Sequence, residues 1–191
     1  SSFVNELHFE YFRFIGQLIG KALLDENHMK THFTKVIFKC ITGENLQISD
    51  LQYVDARLHE SLLSMTKLSN DDIESFDLQF TTETYQFGVF RTIDLTKRGS
   101  TKNVTQDNIH EYIKLLSRWN IYTSVKTQIE KMLIGLYSVI PRKFFRIFNS
   151  SELELLLCGS PKLNVDEWMQ HTEYQAGYSK DHKVCKWFWQ M

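Results

Sequence analysis

Apolar residues recur at helical spacing over most of the chain. Across residues 3–24, Leu7, Tyr11, Ile15, Leu18 and Ala22 return every three or four positions with further apolar residues beside them, which predicts a helix buried on most sides. Gly16 and Gly20, one turn apart on it, predict close approach of another backbone. Residues 29–42 read as a second amphipathic helix closed by Gly43. Ser49 with Gln52 predicts a capping box for a short helix from Asp50 to Val54, and the next helix runs through Leu58, Leu62 and Met65. Phe76, Leu78 and Phe80 alternate with Asp77 and Gln79, a strand pattern, and a second strand is expected from Val89 to Leu95.

Beyond the polar turn KRGSTKN, Thr105 is expected to cap a helix through Tyr112, Leu115, Leu116 and Trp119. Another helix, from Ser124 to Ile140, ends at Pro141. Ser151 with Glu154 and Asn164 with Glu167 predict two more capping boxes, Gly159 stops the first of those helices, and a last helix spans Asp181 to Met191. There is no internal repeat. The pattern is a mainly helical α+β fold, with the strands gathered near residues 76–95.

Composition narrows the function classes. At 191 residues, 42% hydrophobic and 24% charged, the chain can bury a core and is not a disordered segment. A net charge of −1 gives no case for a nucleic-acid partner, and no run of apolar residues is long enough for a membrane span. Three widely spaced cysteines, Cys40, Cys158 and Cys185, make no disulfide framework, which fits a cytoplasmic or nuclear setting.

Candidate chemistry is sparse. His28 and His32 stand four apart, but the Glu of a zincin motif and a third ligand are missing, so no metal site is assigned. His171 and His182 lie near Asp166, Glu173 and Asp181, where helix capping explains them as well as acid–base work does. Cys158 sits in an apolar helical run without an adjacent base, and Cys185, with Lys183 and Lys186 nearby, also reads as structural. No catalytic residue and no cofactor follows from the pattern. What the chain does carry is a set of apolar residues in the mixed segment: Leu58, Leu62 and Met65 on one helix face, Phe76 and Leu78 on one strand face, and Tyr112 and Leu116 one turn apart. They form either that segment's own core or an exposed partner-binding surface.

Several tracts resemble, in order, the catalytic domain of HECT-type ubiquitin ligases. They are YFRFIGQLIGKALLDENHM at 11–29, LQISDLQYVDARLHESLLSM, FDLQF, NVTQDNIHEYIKLLSRW, SELELLLCG and the final VDEWMQHTEYQAGYSKDHKVCKWFWQM. The resemblance implies a HECT N-lobe: a large helical subdomain with a small mixed α/β subdomain inserted. It divides the chain into residues 1–46, a docking subdomain at 47–120, and residues 121–191 ending before the hinge. It implies that a ubiquitin-conjugating enzyme docks in a groove formed by Leu58, Ser61, Leu62, Met65, Phe76, Leu78, Tyr112 and Leu116, whose apolar residues are then expected to be exposed. Ubiquitin would pass to a cysteine on a second lobe and on to a substrate lysine, protein substrates being held by regions outside this chain. The family's Thr-Cys tract is not found in this sequence, so the chain by itself is expected to be inactive. The alternative is a non-catalytic helical protein-interaction domain on the same scaffold.

Overall fold

The fold is taken from a computed structural model, which describes residues 7–86, 88–159 and 165–190. It comprises two compact units, residues 1–158 and 159–191.

In the larger unit, α1 (His8–Leu24) packs along α6 (Lys126–Val139). The contact face is set by glycine. A Cβ on Gly16 would lie 1.9 Å from the Met132 carbonyl oxygen, and one on Gly135 would lie 1.9 Å from that of Arg13. Each helix therefore admits the other's backbone where a side chain is missing. The close approach expected at Gly16 and Gly20 is present, but the buried face is centred on these glycines rather than on the expected stripe. Gly16, Ile19 and Gly20 are buried, with Phe12, Ile15 and Leu23 packed around them. Leu7, Tyr11 and Leu18 are exposed, and the helix is not buried on most sides.

α2 (Lys35–Thr42) is shorter than expected at its start, because Thr34 is extended and the Met29 N–H is tied to the Leu157 carbonyl at 2.8 Å. Its end is as expected: Gly43 takes φ +83° and its N–H donates to the Lys39 carbonyl. α2 serves two cores. Val36 joins a cluster with Leu51, Leu62, Ile73, Phe80 and Tyr112, whereas Phe38 and Ile41 join one with Ile19, Met132, Leu136 and Leu153. Between them the Lys39 ammonium meets the Asp50 carboxylate at 2.7 Å, both side chains being largely withdrawn from water.

The connecting elements are a 3-10 turn at Ile48–Tyr53, α3 (Ala56–Met65), α4 (Asn70–Ser75), the hairpin β1 (Thr81–Gln86) and β2 (Val89–Asp94), α5 (Ile109–Ile121) and α7 (Ser150–Cys158). The hairpin is antiparallel, in register from Thr81 opposite Asp94 to Gln86 opposite Val89. Three expected caps shift by two or three residues. Gln47 and Asp50, not Ser49 and Gln52, form the box at the 3-10 turn, Asp50 accepting from the Gln47 N–H at 2.8 Å. Asn108, not Thr105, precedes α5, and its Oδ1 accepts from the Thr105 N–H. Asn149 and Glu152, not Ser151 and Glu154, form the reciprocal box at α7. Pro141 ends the helical run begun at the 3-10 turn Thr123–Val125, as expected, with Ile140 extended.

The smaller unit holds α8 (Val165–Gln170) and α9 (Lys183–Trp189), the latter shorter than the expected 181–191. Trp168 meets Phe188 and Trp189 edge-on at 5.7 and 5.2 Å between ring centroids, and the Trp189 indole N–H donates to the Tyr174 hydroxyl. The cap expected at Asn164 lies outside the described residues.

Gly16→Ala is expected to drive the two helices apart at a cost of about 3 kcal/mol. Thermal unfolding followed by circular dichroism measures this; an unchanged midpoint would refute the backbone contact.

Candidate functional site

The mixed segment is built by local signals. Asp55 caps α3 by accepting from the Leu58 N–H at 2.9 Å, which sets Leu58, Leu62 and Met65 on the inner face and Ser61 and Leu63 outward. Ser69 and Asp72 form the capping box of α4, a helix the alternating apolar pattern did not predict. That helix carries the chain through Phe76, so the expected strand over 76–80 is absent and the first strand starts at Thr81. Asp77 then turns back at φ +47°. Phe76 and Leu78 consequently do not share a strand face: Phe76 is 54% exposed, whereas Leu78 packs inward and its carbonyl accepts from the Val104 N–H.

On α5, Tyr112 and Leu116 point into the same cluster, and the Tyr112 ring meets the fully buried Phe80 edge-on at 5.5 Å. Lys102 stands 4.0 Å from the Phe80 ring centroid and pairs with Glu111 at 2.7 Å. Burial pushes the Tyr112 phenol above its ordinary range, so it stays protonated.

Of the eight groove residues read from the sequence, Leu58, Leu62, Met65, Leu78, Tyr112 and Leu116 thus gather in one apolar cluster. The expectation that they are exposed fails for Leu62, Tyr112 and Leu116, which are 3%, 6% and 8% exposed and belong to the core of this segment. A segment this small has few other residues with which to build a core. Leu58, Met65 and Leu78 are half-buried, and Ser61 and Phe76 are exposed. Sequence reading passed over Leu63, Tyr85 and Phe90, which are also exposed. Tyr85 and Phe90 sit opposite each other on the hairpin, their ring centroids 4.9 Å apart. The alternation in ETYQFGVFRT around Gly88 is the signal that marks them.

The other candidates take structural places. His28 and His32 lie in the irregular stretch before α2, so they share no helix face, and among the described residues no group of three metal-ligating side chains assembles. The His182 Nδ1 accepts from the Val184 N–H at the start of α9, and Asp181 pairs with Lys186 at 3.1 Å. Burial, with the Asp50 charge adding to it, pushes the Cys40 thiol from an ordinary 9.0 to about 11. Burial, and then Glu154, raises Cys158 too. Both are packing thiols rather than nucleophiles. No described helix is long and apolar enough to cross a membrane.

The whole chain, residues 1–191, matches the family model described as HECT-domain (ubiquitin-transferase). The chain belongs to the HECT family. Among curated relatives it is 36% identical over 186 residues to an E3 ubiquitin-protein ligase TOM1-like of Neurospora crassa, covering 97% of this chain and 4% of the relative. It is 34% identical to E3 ubiquitin-protein ligase HECW1 of Homo sapiens, over 99% of this chain and 12% of the relative. It is 34% identical to E3 ubiquitin-protein ligase HACE1 of Xenopus tropicalis, over 100% of this chain and 21% of the relative. The chain therefore spans a small part of the length of each of these ligases. The mainly helical α+β architecture with its two-stranded sheet fits the HECT N-lobe class.

At pH 8, alkylation of Cys40 by iodoacetamide in the folded chain is expected to run more than about tenfold slower than in the urea-unfolded chain, since rate follows the thiolate fraction. Because the folded thiol titrates above the unfolded one, its contribution to stability is full below pH 9 and is lost as pH rises toward 11. Cys40→Ala should flatten that alkaline decline in denaturant midpoints. Equal alkylation rates in the two states would contradict the burial argument.

Proposed function

We propose that this HECT-family chain docks a ubiquitin-conjugating enzyme through Leu58, Ser61, Leu62, Met65, Phe76, Leu78, Tyr112 and Leu116. On this reading residues 47–120 are the docking subdomain, flanked by residues 1–46 and 121–191 of the large helical subdomain. The conjugating enzyme brings its thioester-linked ubiquitin, and the acceptor cysteine belongs to another part of the ligase, as do the regions that select substrate proteins. The chain's contribution is to hold the donor in place: a bound donor reacts at a high effective concentration without any bond-making group from the dock itself.

The observation that carries the reading is Phe76. It stands exposed immediately beyond α4, one turn past the buried Ile73, beside an apolar cluster drawn from α3, α4 and α5. Leu62, Tyr112 and Leu116 are buried, Leu58, Met65 and Leu78 are half-buried around them, and Phe76 is an exposed ring that a partner could cover. Buried aromatic anchors of this kind supply much of the energy of a small interface.

The isotope-labelled chain titrated with a panel of ubiquitin-conjugating enzymes tests this by NMR. Shifts are expected at Leu58, Ser61, Met65 and Phe76. Phe76→Ala should weaken binding roughly 30-fold, about 2 kcal/mol, with no change in unfolding temperature, since the ring is exposed. Tyr112→Ala is a poorer probe because it removes core packing. Silence of the folded chain toward the whole panel, or a Phe76→Ala variant that binds like the parent, would sink the docking reading and favour an interaction domain with a different partner.

A further inference from the structure

α5 has a second face. At 3.6 residues per turn, Lys114, Ser117, Arg118 and Ile121 fall on the side of the helix opposite Tyr112 and Leu116. With the segment Glu44–Ile48 they line a pocket of about 590 Å³, within the range of small-molecule sites.

Its chemistry is asymmetric. Leu46, Ile48 and Ile121 provide apolar wall. Lys114 and Arg118 bring two cations one turn apart, and neither makes an ion pair among the described residues. The acidic side chain on the pocket, Glu44, is engaged elsewhere: its carboxylate accepts from the Ser150 N–H and hydroxyl and from the Thr42 hydroxyl. Between the two cations Ser117 is 1% exposed, and its hydroxyl has no hydrogen-bond partner. That oxygen is closed off even from water, so Ser117 backs the wall and the two cations supply the polar contacts.

We infer that this pocket binds a small molecule with an apolar body and an anionic head of phosphate or carboxylate type, the head held by Lys114 and Arg118 and the body lying against Leu46, Ile48 and Ile121. Two neighbouring cations select for the anion, while the apolar wall selects against a bare inorganic ion. None of the proposed docking residues lines the pocket, although Leu46 and Ile121 also pack in the apolar cluster that holds Leu62, Tyr112 and Leu116.

The probes are phenyl phosphate, benzoate, benzyl alcohol and inorganic phosphate, titrated into the isotope-labelled 191-residue chain and followed by amide shifts. Phenyl phosphate or benzoate is expected to shift Asn45–Ile48, Lys114, Ser117 and Arg118 saturably. Benzyl alcohol and inorganic phosphate should each bind at least about tenfold more weakly. Arg118→Gln, an exposed change that leaves the core intact, should weaken the aryl anion about tenfold. Lys97→Gln, away from the pocket, should leave binding unchanged. The inference is overturned if neither aryl anion produces saturable shifts at the pocket, if inorganic phosphate binds as well as phenyl phosphate, or if Arg118→Gln has no more effect than Lys97→Gln.

Discussion

The Lys39–Asp50 ion pair is made by α2, the helix that feeds both cores of the larger unit. Taking two charges out of water is expensive, and the attraction between them offsets that cost only with good geometry and satisfied lone pairs. Both conditions are met: the ammonium reaches both carboxylate oxygens, at 2.7 and 2.9 Å, and one of those oxygens also accepts the Gln47 N–H. The pair is made in the same orientation of α2 that sends Val36 to one core and Phe38 and Ile41 to the other. Cys40, the next residue, takes its raised thiol from the same confinement. Losing either charge would strand its partner in a place that water cannot easily reach.

Much of the helical plan was legible in the apolar period, and the glycine pair on α1 foretold its close neighbour. What the pattern could not settle was which apolar residues face inward. Leu18 is as apolar as Ile19 and Tyr11 is aromatic like Phe12, but only Phe12 and Ile19 lie on the face that Gly16 and Gly20 open to α6. The strand error has a similarly local cause. FDLQF alternates well, yet the Ser69–Asp72 box starts a helix seven residues earlier and propagates into Phe76 before Asp77 breaks it. The start of α5 was misplaced because Asn108, three residues on, turns the chain by accepting from the Thr105 N–H, so the helix begins after Asn108.

Periodicity supplied only part of the candidate site, and the resemblance to the HECT family supplied the rest. Apolar spacing marked Leu58, Leu62 and Met65 as a helix face and Tyr112 and Leu116 as another, and it left open whether they were core or surface. The structure makes some of them core and leaves Phe76 out. In a segment this small the two roles overlap, because there are few other apolar residues with which to build a core. Membership in the HECT family gives this cluster its proposed meaning.

Glu44 links residues 106 positions apart, accepting from Ser150 at the start of α7 while sitting just past the end of α2. Nearly all of the larger unit must leave the ribosome before α7 can receive this cap. Phe38 and Ile41 must likewise await Leu153 and Leu157 to complete their cluster. During synthesis the early helices therefore spend a long interval with apolar surface uncovered, the condition under which a nascent chain depends most on chaperones.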